Sequence, residues 1–329
     1  MASCLYVASW NLNGSDGITK KIKSQMSSLD EMSTIFHCCI FNSNEEDNLL
    51  NYYDYIYVRN CNGKDTLKII RLLLRVKAKK IFYEIPTYPY YGEITSFSSK
   101  LEYLFKKIVI RFFATKIVYI GHHNKDSIWG VPAYELTNAI SEPYIPWELS
   151  SPKDNKTYNI IGVASQAPWH GYDRLIKSFR NYKNINMIFH IVGDGPSLIL
   201  LKSLVKELCI NDKVIFHGRL YGNDLYELMA RMDCGIDSLA RHRVGVTYNS
   251  SLKAKEYLAF GLPVIMSHID KSIINNEFVM KVDSSEDALD LDDLRQFIHC
   301  FKGSKKKIQK YAYSNFTWKS QFNILLKGK

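Results

Sequence analysis

The residues best suited to chemistry gather in one stretch of the second half of the chain. Ser251-Leu252-Lys253-Ala254-Lys255-Glu256 opens a helical pattern that runs on to Phe260. Its amino end near Ser251 offers unpaired N–H groups and the positive end of a helix dipole to a diphosphate. Glu256 sits within one or two turns of that end, where its carboxylate either faces a ligand or pairs with Lys253 or Lys255. Upstream, Arg241 and Arg243 carry planar forks that can donate two bonds to a phosphate, if they are not merely a solvated loop. A second glycine-marked turn, Val192-Gly193-Asp194-Gly195-Pro196, follows a strand pattern. A dinucleotide fingerprint there needs a third glycine where Leu198 stands, so a dehydrogenase is disfavoured. No Walker A loop exists, because Gly63-Lys64 is followed by Asp65 and lacks the upstream glycine. A serine hydrolase lacks its Gly-x-Ser-x-Gly elbow. His122 and His123 are adjacent, with no carboxylate or cysteine spaced to join them, so no metal is expected.

These residues need elements to hold them, and the sequence supplies an α/β grammar twice. Leu5–Ala8, Thr34–Phe41, Tyr53–Val58, Lys80–Glu84 and Lys116–Ile120 predict strands, with helices over Gly14–Leu29, Thr66–Lys79 and Leu101–Phe113. The run Ser141 to Lys153, rich in proline and serine, predicts a linker. Strands then resume at Asn159–Ala164, Met187–Val192, Lys213–Phe216, Cys234–Ile236 and Pro263–Met266. Helical patterns fall at Asp173–Phe179, Leu198–Leu208, Leu225–Met232 and Leu252–Phe260. Two successive doubly wound, parallel-sheet domains leave a cleft, and ligands of such sheets bind at the carboxyl ends of the strands.

Composition agrees with that architecture. A chain of 329 residues, 46% hydrophobic and 23% charged, has the usage of a folded globular protein and suits two domains. No apolar run is long enough for a transmembrane helix. Met1 to Gly14 lacks the charged lead and apolar run of a secretory signal, so a cytoplasmic location is expected. Seven cysteines, at 4, 38, 39, 61, 209, 234 and 300, show no paired metal spacing and are expected as reduced thiols. The net charge of +10 is unevenly placed. Residues 1–152 carry 17 bases and 15 acids, residues 153–300 carry 18 of each, and residues 301–329 carry eight lysines and no acid. Such a distribution does not make a nucleic-acid footprint. It suggests attraction of a basic end to an anionic surface, with the inner face of the membrane as one candidate. The basic and apolar helices Leu67–Lys80 and Leu101–Phe113 suit either a membrane surface or a core with one cationic face.

Three segments, taken in order, carry a family resemblance. Ile160-Ile161-Gly162-Val163-Ala164 leads to Trp169-His170-Gly171-Tyr172-Asp173-Arg174-Leu175-Ile176; next comes Val192-Gly193-Asp194-Gly195-Pro196; then Ser251 to Ile265, through Glu256 and Gly261-Leu262-Pro263. Phe216-His217-Gly218-Arg219 and Met232-Asp233-Cys234-Gly235-Ile236 fall in register between them. Over Asn159 to Met266 the chain resembles the nucleotide-binding half of the family-4, or group 1, glycosyltransferases of GT-B fold, of the bacterial polysaccharide-synthesis type. The resemblance implies an acceptor-side domain over residues 1–152, a nucleotide-sugar domain over 153–308, and a terminal helix over 309–329 that crosses back to the first domain. It implies transfer of a hexose or N-acetylhexosamine from a donor such as a UDP- or GDP-sugar to a glycan or lipid-linked acceptor. Retention of configuration, no cofactor and no metal go with it.

The same resemblance assigns roles residue by residue. Glu256 matches the acid that anchors the nucleotide ribose, with Ser251, Lys253, Gly193 and Gly195 around the nucleotide. The family's second acid, eight positions earlier, is replaced by Tyr248, leaving Asn249, Ser250 and backbone amides beside the donor sugar. Its two phosphate-gripping cations fall on Ala164 and His170, which leaves Arg241, Arg243 and Lys253 as the local cations, with His170 beside them. His122 and His123 follow a strand where a cleft histidine meets the donor sugar. Gly14 and Gly17 lie in the opening glycine loop, and Tyr88 and Tyr90, in Glu84-Ile85-Pro86-Thr87-Tyr88-Pro89-Tyr90, are acceptor candidates. The missing acid and cations also fit a non-catalytic GT-B protein that binds a glycan or a partner. A GT-B sugar-nucleotide epimerase is a third alternative.

Overall fold

Strands that are apolar at nearly every position must be covered on both faces, and both sheets of this protein meet that demand. A computed structural model describes residues 2–13, 17–41, 49–59, 65–85, 97–120, 125–140, 157–182 and 185–327. The chain divides into two units, Met1–Ser141 with Thr317–Lys329, and Glu142–Phe316. The predicted linker lies wholly outside the described residues.

The first unit runs β1 (Ala2–Ala8), α1 (Gly17–Met32), β2 (Ser33–Ile40), β3 (Tyr52–Arg59), α2 (Thr66–Arg75), β4 (Lys77–Ile85), α3 (Phe97–Phe113), β5 (Lys116–Ile120), β6 (Ser127–Ile128) and β7 (Val131–Leu136). The sheet order is β2-β1-β3-β4-β5-β7-β6, parallel except for the short β6–β7 pair. Alternation along β1 sends Leu5 and Val7 into one core, with Ile69, Leu73 and Ile110 from α2 and α3. Cys4, Tyr6 and Ala8 enter the other, with Ile22 and Leu29 of α1. The helix expected over Thr66–Lys79 ends earlier. Val76 is extended, and Lys77 and Ala78 pair with Tyr52 and Tyr53 to start β4. Lysine and alanine favour a helix there, and strand pairing overrides them.

The second unit runs β8 (Tyr158–Val163), α4 (Tyr172–Ser178), β9 (Met187–Val192), α5 (Leu198–Glu207), β10 (Val214–Gly218), α6 (Gly222–Ala230), β11 (Cys234–Ile236), α7 (Leu252–Ala259), β12 (Val264–Met266), β13 (Val279–Lys281), α8 (Leu291–Cys300) and α9 (Lys305–Asn315). Its sheet is wholly parallel, in the order β10-β9-β8-β11-β12-β13. The strand order reverses between β8 and β11, and the crevice outside the carboxyl ends at such a switch point is where ligands of doubly wound sheets bind. Helix α7 stops at Gly261, whose φ of +72° suits glycine and where a Cβ would lie 2.6 Å from the Lys305 carbonyl oxygen. That close approach seats α9 against α7.

The last helix, α10 (Trp318–Lys327), belongs to the first unit. Trp318 N–H donates to the Ile140 carbonyl at 3.1 Å, and Trp318, Phe322 and Leu325 complete the core over α1. The segment 309–329 is therefore not one returning helix. Residues through Phe316 stay with the second unit, and the return begins at Thr317. Among the described residues no helix is long and apolar enough to cross a membrane, and six cysteines stand outside any disulfide.

Candidate functional site

Three loops meet at the switch point of the second sheet, following β8, β9 and β11. The first two are locked together. Gln166 N–H donates to the Asp194 carbonyl at 2.9 Å, and the buried Gln166 amide donates to the Ala164 and Val192 carbonyls, each at 3.0 Å. Gly193 has φ +116°, and a Cβ there would come within 1.9 Å of the Ala164 carbonyl oxygen. Gly195 meets Gln166 backbone in the same way. Both glycines are thus required for one loop to lie on the other.

The third loop delivers charge. Asp237, fully buried just after β11, lies 3.0 Å from Lys253 Nζ, and its other oxygen is 3.7 Å from His268 Nε2. Burial alone would raise the Asp237 pKa. Lys253 and His268, a hydrogen bond from Ser251, and Arg241 outweigh it and hold the carboxyl well below its usual range. Ser251 caps α7, its Oγ accepting from the Ala254 N–H at 3.3 Å. The amides of Leu252 and Lys253, in the first turn, have no carbonyl four residues back to pair with. Lys255 forms a fully buried pair with Asp270 at 2.7 Å and also reaches Ser250 Oγ at 3.0 Å. Ser251 N–H donates to the same Asp270 at 3.0 Å. These bonds fix the helix start rigidly.

Burial keeps the His268 pKa low, and Lys253 and Arg241 converge on Asp237, with Glu256 also acting on Lys253. Arg241 Nε, Asp237 Oδ2 and both His268 ring nitrogens are buried without a hydrogen bond among the described residues. Buried polar groups are normally satisfied, so a converging set with unmet capacity marks a place that a polar ligand completes. Such a ligand would be anionic, drawn by two cations and a helix amino end.

The sequence-predicted residues divide around this centre. Ser251, Lys253 and Arg241 stand in it. Glu256 is half-buried one turn after Lys253, and the two interact electrostatically. Lys253 faces Asp237 and Lys255 faces Asp270. Asn249 and Ser250 lead into the helix, and Asn249 N–H donates to the Ile269 carbonyl at 3.0 Å. Tyr248 is 49% exposed, with the Lys271 ammonium 5.4 Å from its ring centre.

Two cations named from the sequence are not available to a diphosphate. Arg243 grips both oxygens of Asp173 at 2.9 Å each, donates to the Pro168 carbonyl at 2.7 Å, and also binds Glu286. Its fork ties the turn Arg241–Val244 to α4. His170 is buried, and its pKa is lowered to about 3, by burial first and then by Lys253. It is neutral, and its Nδ1 accepts from the Ala167 N–H at 3.1 Å. A cavity of about 240 Å³ beside this loop is lined by Gln166, His170, Tyr172, Leu201 and Arg243, and by no residue of α7.

In the first unit, Glu84 at the end of β4 is fully buried. It lies 3.0 Å from Lys21 and accepts from Tyr57 Oη at 2.6 Å and Gln25 Nε2 at 2.7 Å. Burial works to raise its pKa, but Lys21, Arg59 and these bonds hold it at about 2. Gly17 opens α1, whereas Gly14, Tyr88, Tyr90, His122 and His123 lie outside the described residues. The sequence reading missed Asp237, His268 and Asp270. Asp237 directly follows the apolar strand β11, and His268 and Asp270 stand in the polar stretch after β12; those positions were the available signal.

Comparison with known proteins names the class. The fold matches solved structures over nearly its whole length. A sucrose-phosphate synthase from Thermosynechococcus elongatus matches at a TM-score of 0.67 and 12% identity, over 97% of this chain and 96% of that one. The lipopolysaccharide outer core galactosyltransferase WaaB matches at 0.60 and 12%, over 98% of each chain. HepE of Anabaena, solved in complex with UDP-glucose, matches at 0.57 and 13%, over 99% of this chain and 100% of that one. These are GT-B glycosyltransferases, and the two parallel-sheet domains described above have that fold. Residues 147–314 match the family of glycosyl transferases group 1, and the chain belongs to that family. No curated protein sequence matches it.

Proposed function

We propose that this protein transfers a hexose or N-acetylhexosamine from a nucleotide-diphosphate donor, a UDP- or GDP-sugar, to a glycan or lipid-linked acceptor. The transfer retains anomeric configuration and serves bacterial surface-polysaccharide synthesis on the cytoplasmic side. The observation that carries the reading is the amino end of α7, where Lys253 and Arg241 converge around buried Asp237. The departing diphosphate is met there by the Leu252 and Lys253 amides, the Lys253 ammonium and the Arg241 guanidinium. Preorganised donors of this kind stabilise charge as it develops and need no side-chain nucleophile. Glu256, one turn further on, accepts the ribose hydroxyls. Asn249 and Ser250 approach the donor sugar. The complex of HepE with UDP-glucose supports a nucleotide-sugar donor.

The experiment is incubation with UDP- and GDP-sugars plus glycan or lipid-linked acceptors, followed by detection of free nucleotide and product anomer. Nucleotide release with a retained linkage is expected. A second reading, a non-catalytic sugar-nucleotide binder, is favoured by one observation: exposed Tyr248 stands where the family has an acid. It predicts nucleotide binding without turnover. Interconversion of the sugar nucleotide, with no acceptor product, would point to an epimerase.

A further inference from the structure

Two helices of the first unit turn an unusual face outward. The exposed positions of α2 are Leu67, Lys68, Arg71, Leu74 and Arg75. Those of α3, from Tyr103 onward, are Leu104, Phe105, Ile108, Arg111 and Phe112. Each set follows the spacing i, i+1, i+4, i+7, i+8, which is one stripe of an α-helix. The opposite stripes, with Ile69, Leu73 and Ile110, enter the same core, so both outward stripes point away from the same face of the sheet. The helices also touch each other.

An ordinary surface helix shows water a charged and polar stripe. Here six of the ten positions are large and apolar, with Phe112 81% exposed and Ile108 61%. The other four are cations, and none of the ten is an acid. Apolar patches of this kind on a folded protein mark an interaction surface. Aliphatic and aromatic side chains interleaved with lysine and arginine suit the boundary where acyl chains lie beneath phosphate headgroups. We propose that the α2–α3 face docks the protein on an anionic lipid bilayer.

This moves the membrane contact away from the lysine-rich end that the sequence singles out. In the structure that end is folded and its charge dispersed. Lys305 donates to the Ala230 carbonyl at 2.6 Å, and Lys307 pairs with Glu277 at 2.8 Å. Lys319 pairs with Glu31 at 3.3 Å, and Lys302 lies 4.1 Å from the centre of the Tyr158 ring. The inference does not depend on the donor chemistry and goes beyond it.

The test is co-sedimentation of the full chain with vesicles of phosphatidylcholine, with and without phosphatidylserine. The parent protein should sediment with the anionic vesicles, and salt should weaken the binding. Arg71→Gln/Arg75→Gln/Arg111→Gln should weaken it about a hundredfold, each base being worth roughly a factor of five. Leu104→Ser/Ile108→Ser/Phe112→Ser should abolish it. Both sets change exposed positions, and an unchanged circular dichroism spectrum and UDP affinity certify the fold. Lys306→Gln/Lys310→Gln/Lys327→Gln, in the lysine-rich end, should bind like the parent. The inference is overturned by a parent that ignores anionic vesicles, or by loss of binding only in the lysine-end variant. A parent dimer that the serine variant dissolves, without vesicle binding, would make the face a self-association interface instead.

Discussion

Replacing Lys253 by methionine separates what holds the site together from what binds the ligand. The ammonium lies 3.0 Å from Asp237, whose side chain is fully buried. Removing one partner of a buried pair costs about 3–5 kcal/mol because the other charge stays behind uncompensated. Asp237 would keep the Ser238 N–H at 2.7 Å, with His268 and Arg241 nearby. The loss therefore falls at the lower end, about 3 kcal/mol. The same change removes one charge-assisted bond to the diphosphate, worth roughly 1.5–3 kcal/mol, or about 10- to 100-fold in affinity. Lys253→Met/Asp237→Asn removes both charges together. Its stability should recover part of that loss, since Asp237 no longer stays behind uncompensated, while Arg241 loses its counter-charge. Its UDP affinity should stay at least about tenfold down. Urea unfolding reads the first quantity and isothermal titration with UDP the second. If the double variant binds UDP as the parent does, Lys253 serves Asp237 alone and the diphosphate assignment is wrong.

Acid should destabilise the second unit. His170 and His190 are buried, chiefly burial lowers their pKa values to about 3 and about 4, and the unfolded chain takes up these protons below about 6.5. Stability therefore rises with pH between those values. From pH 7 to pH 5 each histidine should remove about 2 kcal/mol, so His170→Asn should show a correspondingly smaller loss of urea midpoint over that interval. Gly193→Ala places a Cβ 1.9 Å from the Ala164 carbonyl at a φ that alanine avoids. A loss of about 3 kcal/mol or more is expected, and an unchanged melting temperature would contradict the described loop packing. Tyr248→Glu restores an acid eight positions before Glu256; turnover measured with UDP- and GDP-sugars should rise, and loss of turnover would assign Tyr248 a contact of its own.

Much of the framework is legible from local pattern. Met187–Val192, Cys234–Ile236 and Lys116–Ile120 coincide with β9, β11 and β5, because continuous apolar runs ended by polar or glycine residues have few other uses in an α/β chain. The end of α2 was not legible. Lys77–Lys80 has helical composition, and only the neighbouring β3 makes it a strand. Strand β7 was hidden by Pro132, which argues against a strand from sequence alone, although its position at the sheet margin tolerates it. At the site, the helix cap at Ser251 could be read because it is local. The electrostatics could not. Asp237, Lys253 and His268 come from the loop after β11, from α7 and from the loop after β12, and Arg243 finds Asp173 and Glu286 at separations of 70 and 43 residues. A cation on a loop reads the same whether its partner is a phosphate or a distant carboxylate.

The central claim, that a nucleotide sugar binds at the amino end of α7, rests most directly on Glu256. A carboxylate that accepts two ribose hydroxyls makes charge-assisted bonds, each worth roughly 1.5–3 kcal/mol. Glu256→Gln keeps the size, removes the charge and turns one acceptor into a donor. Isothermal titration of UDP and GDP into the parent and this variant is the deciding measurement. The parent should bind one of the two nucleotides, and the variant should bind it about tenfold more weakly or worse, with an unchanged circular dichroism spectrum. Equal affinity in parent and variant would contradict the account.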